Sequence, residues 1–173
     1  MTTLRLTFLL LIPLLLAACG FQLRGSSGLG IDDDIRIHLD TSGGGEIGLE
    51  VQEQMELTGI TLVASTENPD YMVGVNNHRY RRDILSASPL SGRVQEYELY
   101  VGVDLSVVRN DGEVLVDREL LDASRDYAFD ETAVLASGDE QALIREELEQ
   151  LVSTQALLRL QAAIRNDQGN SAQ

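Results

Sequence analysis

The chain has 173 residues, enough for one domain with its own hydrophobic core, and a composition of 43% hydrophobic and 5% aromatic residues suits a globular protein. A formal net charge of −15, with all 13 basic residues arginine, disfavours general nucleic-acid binding, because phosphate backbones repel such a surface. The single cysteine excludes an intramolecular disulfide and a zinc site built from several cysteines.

Residues 1–18, MTTLRLTFLLLIPLLLAA, begin with a short segment carrying Arg5, continue in a leucine-rich run from Leu6 to Leu16, and end in small residues. This is the layout of a secretory signal peptide. The apolar run falls short of the about 20 residues a spanning helix needs, and Pro13 weakens it further. Leu16-Ala17-Ala18-Cys19 resembles the bacterial lipobox, which implies that Cys19 is acylated and becomes the first residue of the mature chain. Gly20 after it, in place of the aspartate associated with inner-membrane retention, implies an outer-membrane address. One acyl chain holds a protein only marginally, whereas two or three hold it practically permanently. Cys19 is therefore expected to be a tether.

Residues 19–33, rich in Gly and Ser, read as the acylated start and a flexible spacer, followed by a single domain over 34–165. Residues 35–39 alternate with period two and predict a first strand. Ile47, Val51, Met55 and Thr58 fall at helical spacing, predicting a helix over 46–58 with Gly59 as its C-cap, and 60–64 form a short strand. Tyr71, Val73 and Val75 alternate along a third strand that continues through 76–80, and a Ser-, Pro- and Gly-rich loop spans 86–92. The clearest strand follows: Tyr97, Leu99, Val101, Val103, Leu105 and Val107 share one face. Asn110-Asp111-Gly112 signals a hairpin, and the returning strand loses its alternation at Leu120-Leu121, predicting a bulge there. Ser137-x-x-Glu140 has the form of a capping box for a long helix over 139–165, with Ile144, Leu148, Leu151, Leu158 and Ala162 as its apolar stripe, broadened by Val152 and Leu157. Residues 166–173 are polar and read as a frayed, disordered tail. The order β-α-β-β-β-β-α predicts an α+β fold, a two-layer sandwich of two helices on a mainly antiparallel or mixed sheet.

Three segments carry a family resemblance. Cys19-Gly20-Phe21-Gln22-Leu23-Arg24 is similar to the opening of mature LptE proteins, the lipopolysaccharide-assembly lipoproteins. Glu96-Tyr97-Glu98-Leu99 resembles that family's entry to its long central strand, and Ala136-Ser137-Gly138-Asp139-Glu140-Gln141 the segment before its last helix. The resemblance implies a non-enzymatic lipoprotein on the periplasmic side of the outer membrane, held there by its N-terminal lipid. It also implies two partners: the LptD β-barrel, which it plugs and helps to assemble, and lipopolysaccharide. No cofactor or metal is expected. A freestanding lipid- or lipopolysaccharide-binding lipoprotein is the competing reading.

Arg79, Arg81, Arg82 and Arg93 face a single acid, Asp83, over their stretch of chain, a local balance of +3 in an acidic protein. Arginine binds phosphates and carboxylates through paired, charge-assisted hydrogen bonds, so these four are the candidate lipopolysaccharide-binding residues. The alternative is a solvated loop, or ion pairs with Asp83 and Glu96. Some family members carry a basic residue entering the last helix; here Ser137 occupies that place, which shifts the burden to the four arginines. His38 and His78 read as polar strand residues, and Asp32-Asp33-Asp34 lacks the spacing of a calcium loop. There is no Gly-x-Ser-x-Gly elbow or phosphate-cradling loop to suggest an enzyme.

Overall fold

The computed structural model describes residues 34–58, 60–130 and 134–171. The signal peptide, Cys19, the spacer and the Gly59 cap lie outside the described residues. Strands β1 (Arg36–Asp40), β2 (Thr61–Leu62), β3 (Tyr71–Ala87), β4 (Val94–Arg109) and β5 (Val114–Ala128) form one sheet of order β2-β1-β3-β4-β5. Helices α1 (Gly45–Leu57) and α2 (Val134–Ser171) complete the fold. β1 runs parallel to β2 and β3, which requires the α1 crossover, while β3, β4 and β5 form an antiparallel meander. This is the expected α+β sandwich with a mixed sheet.

The core lies between one sheet face and the helices. Ile37, Tyr71, Val73, Val75, Leu99, Val101, Val103, Leu105 and Val107 are buried on the sheet side. Ile47, Val51 and Met55 of α1, with Ile144, Leu148, Val152, Ala156, Leu160 and Ile164 of α2, close it from above. Full burial of each such side chain contributes about 1.5–3 kcal/mol.

Five expectations are corrected. β3 persists to Ala87, so the loop shrinks to a tight turn in which Ser88 N–H donates to Arg93 O and Gly92 N–H to Ser88 O, with Gly92 at φ +68°. The bulge in β5 is at Asp117-Arg118, not Leu120-Leu121: Val107 pairs with Val116 and Leu105 with Glu119, leaving two residues against one, and Arg118 takes φ +42°. That insertion reverses the alternation, which is why Leu121 still points into the core.

The last helix begins at Val134, so Ser137 is a buried residue inside it and its capping-box pattern does not mark the start. Gly138 weakens that turn without ending it. The helix also runs on to Ser171, so residues 166–171 are ordered. The cause is long-range: Asp167 is buried, accepts a hydrogen bond from the Tyr71 hydroxyl at 2.9 Å, and binds Arg109 at 2.6 Å. The buried stripe of α2 runs through Ile144, Leu148, Val152, Ala156, Leu160 and Ile164, leaving Leu151, Leu158 and Ala162 exposed. Each four-residue step turns about 40° beyond a full revolution. The stripe therefore winds around α2, which packs on β4, β5 and α1.

Candidate functional site

A second irregularity decides which face each arginine takes. The register of β3 against β4 shifts between Asn76 and Arg79, and Asn77 adopts φ +58°. Before the shift, Tyr71, Val73 and Val75 face the helices; after it Tyr80 and Arg82 do. Arg82 donates to Gln141 Oε1 at 2.8 Å, and the Tyr127 hydroxyl donates to the same oxygen at 3.1 Å. Gln141 Nε2 donates to the Tyr80 hydroxyl at 2.8 Å, so one glutamine near the start of α2 joins β3 and β5. The Arg82 guanidinium also lies 4.5 Å from the Tyr97 ring centre.

Arg79 and Arg81 project from the opposite face, which carries no helix among the described residues. Arg79 grips Asp104 by two hydrogen bonds of 2.8 and 3.0 Å, and Asn77 donates to the same carboxylate at 2.8 Å. The bound guanidinium holds the Asp104 carboxyl below its ordinary range. Asn76, Asn77, Asp104, Ser106 and Arg118 line a depression of about 340 Å³ there. Arg81 stacks over Tyr100 at 4.1 Å and lies 3.9 Å from Asp83. Arg93 closes the β3–β4 turn through its backbone carbonyl.

The fold thus splits the four arginines. Arg79 is committed to Asp104, an ion pair of the anticipated kind but with another partner. Arg81, Arg82 and Arg93 remain on two faces and the end of one hairpin. The anticipated local excess of positive charge is diluted in space, because Asp83, Glu98 and Asp126 stand opposite one another across β3, β4 and β5. Like charges so placed repel. Glu96 accepts from the Ser86 hydroxyl at 2.7 Å.

His38 Nδ1 lies 3.1 Å from the Val63 carbonyl oxygen, as suits a polar strand residue. His78 is also a strand residue, of β3; it packs beneath Gly45, where an added Cβ would stand 3.0 Å from the imidazole, with Nε2 3.6 Å from Glu149 Oε1. Among the described residues no three metal-ligating side chains converge, and no helix is long and apolar enough to cross a membrane.

The hairpin has a clear polarity along its length. At about 3.3 Å per residue, the 17 residues of β3 extend roughly 50 Å. Ile37 pairs with Tyr71, so the chain enters the domain at the base, near Asp167 and Arg109. Arg81, Arg82 and Arg93 lie toward the other end, the apex.

The profile of the lipopolysaccharide-assembly family, LptE, matches residues 34–160. The chain belongs to the LptE family. Three solved structures share the LptE-like fold. Lipoprotein B from Nitrosomonas europaea is 23% identical, covering 83% of this chain and 91% of its own, with a TM-score of 0.68. Rare lipoprotein B from Shewanella oneidensis is 22% identical over 79% of this chain and 98% of its own, with a TM-score of 0.62. A minor lipoprotein from Acinetobacter baumannii is 17% identical over 74% of this chain and 90% of its own, with a TM-score of 0.56. No curated protein matches the chain. LptE membership agrees with the resemblance carried by the segments around Glu96 and Ser137.

Proposed function

We propose that this LptE-family chain is a non-enzymatic lipoprotein of the outer membrane that plugs the LptD barrel, assists its assembly and helps deliver lipopolysaccharide to the outer leaflet. Residues 1–18 are removed and Cys19 carries the lipid. The spacer 19–33 joins this anchor to the domain on the periplasmic side. Arg81, Arg82 and Arg93 take the phosphates and carboxylates of lipopolysaccharide, while Arg79 fixes the sheet face behind them.

The observation that carries this reading is the separation of the two ends. The anchored segment enters at the base, Arg81 and Arg82 stand roughly 33–36 Å from it along β3, and Arg93 lies at the apex roughly 50 Å away, a reach comparable with the about 40–45 Å of a whole bilayer. A domain tethered at one leaflet and seated in a barrel spans enough distance to meet ligand at the other. Rigidity supports the same role, since α2 is bonded to the sheet at both ends through Gln141 and Asp167.

Co-purification tests the partnership: a stable one-to-one complex with the barrel is expected, and its absence after gentle extraction refutes it. Cys19→Ala should release the protein from membranes or leave it uncleaved. Replacing Arg81, Arg82 and Arg93 together by Ala should weaken binding to purified lipopolysaccharide, and unchanged affinity at low salt rejects the arginine site.

A further inference from the structure

Residues 84–95 form the outermost part of the β3–β4 hairpin. In a chain with 24% charged residues, this stretch of ILSASPLSGRVQ holds one charge, Arg93, and no acid. Three large apolar side chains stand in it unpacked: Ile84 is 62% exposed, Leu85 51% and Leu90 98%. Isolated exposed leucines are ordinary on protein surfaces. Here three cluster within seven residues, on backbone that is not a loose loop. Ile84 pairs with Tyr97 and Ala87 with Val94, and the turn is closed by the Ser88–Arg93 and Gly92–Ser88 hydrogen bonds. Leu85 is the extra residue of a register shift between Ile84 and Ser86.

Charge returns abruptly below this cap. Asp83, Glu98 and Asp126 stand in an acidic row across the open face of β3, β4 and β5, with Glu96 and Arg81 on that same face and Arg82 on the other. An apolar tip carrying a cation, stopped by carboxylates that resist leaving water, matches a ligand with fatty chains on one side of an anionic headgroup.

We propose that the cap formed by Ile84, Leu85 and Leu90 takes the fatty-acyl chains of the lipopolysaccharide whose anionic groups the neighbouring arginines bind. The acidic row sets the depth of that contact. This inference rests on the lipopolysaccharide-binding role proposed above, and it makes the ligand an anionic amphiphile instead of a phosphorylated sugar alone.

The test compares the mature full-length protein with an Ile84→Gln/Leu90→Gln variant and with the triple arginine variant. Each is titrated with intact lipopolysaccharide, with the fully deacylated molecule, and with anionic phospholipid vesicles as competitors. Both glutamine substitutions are on exposed side chains, and retention of the wild-type melting temperature checks the fold.

Wild type should prefer intact over deacylated lipopolysaccharide by ~10-fold or more, as the burial of one or two such side chains implies. The glutamine variant should lose that preference and keep its weaker affinity for the deacylated molecule. If the glutamine variant binds intact lipopolysaccharide as wild type does while the arginine variant does not, the acyl-chain inference is wrong and the arginine site stands. If neither variant changes binding, both are wrong. Competition by phospholipid vesicles equal to that of intact lipopolysaccharide overturns the inference in favour of a general membrane finger.

Discussion

Removal of the Asp167 carboxylate should destabilise the protein well beyond the effect of an ordinary helix-end substitution. Asp167 lies at the end of α2, where a local reading of the sequence places a disordered tail, yet its side chain is only 7% exposed. It accepts from the Tyr71 hydroxyl at 2.9 Å and from Arg109 at 2.6 Å. In Asp167→Ala the buried Tyr71 hydroxyl loses its acceptor, which costs about 1–3 kcal/mol, and a charge-assisted bond from Arg109 is lost, at about 1.5–3 kcal/mol. Arg109 is not left without charge partners, because Asp111 and Glu113 still bind it, so the two terms do not sum in full. About 2–4 kcal/mol is the expected loss, a fall in Tm on the order of 10 °C for a domain of this size. Asp167→Asn keeps one acceptor and should lose about half as much. Urea and thermal unfolding of the mature domain, followed by far-ultraviolet circular dichroism, give both values. A loss below about 0.5 kcal/mol, the level of an unremarkable surface change, would show that the helix end is not fastened as described.

Other consequences can be measured on the same domain. Burial, then the bond to Asp167, pushes the Tyr71 phenol from 10.0 up to about 12. The folded state therefore holds this proton where the unfolded chain releases it. The resulting stability, up to about 3 kcal/mol, is complete below pH 10 and lost as pH rises toward 12, and Tyr71→Phe should flatten that slope. Gly44→Ala places a Cβ 2.5 Å from the Val75 carbonyl oxygen and 2.9 Å from Gly48 Cα, both backbone atoms, and should cost about 1–3 kcal/mol in denaturant unfolding. Gly138→Ala meets open space inside α2 and should stabilise by up to about 1 kcal/mol. Leu160→Ala, in the core, should lose about 2–5 kcal/mol in the same assay, whereas Leu158→Ala should lose less than about 0.5 kcal/mol.

The parts of the fold that depend on local pattern could be read from the chain. The run from Tyr97 to Val107 alternates cleanly because one sheet face is buried and the other is not, and Asn110-Asp111-Gly112 turns it back, with Gly112 at φ +92°. Features set by one inserted residue could not. The irregularity at Asn77 exchanges the two faces of β3, so Arg79 and Arg81 leave the helix-covered face that the alternation of Tyr71, Val73 and Val75 assigns them, and Arg82 takes it. Glu98 and Asp126 are remote from Asp83 in sequence, and only strand register aligns the three. On α2, Leu151 and Leu158 compete with Val152 and Leu160 as a hydrophobic face. Periodicity cannot choose between stripes this close, whereas packing against a sheet and a second helix does. Asp167 offered no local sign at all, since its partner Tyr71 is 96 residues away.

These long-range bonds explain how a slender body can stay stiff. At about 1.5 Å per residue, the 38 residues of α2 run nearly 57 Å, as long as β3 itself. Gln141 ties the helix to Tyr80, Arg82 and Tyr127 toward the apex, and Asp167 ties it to Tyr71 and Arg109 at the base. Between them, Glu147 pairs with Arg125 and Arg159 with Glu119, both onto the edge strand β5. Exposed pairs contribute little energy singly, about 0–1 kcal/mol each. Their placement matters more than their strength. A helix bonded to the sheet at both ends and along one edge cannot slide or tilt without breaking several contacts together, so a load at the base is transmitted to the apex. That is the mechanical property the proposed plug would need if its far end is to hold a ligand at a fixed height in a membrane.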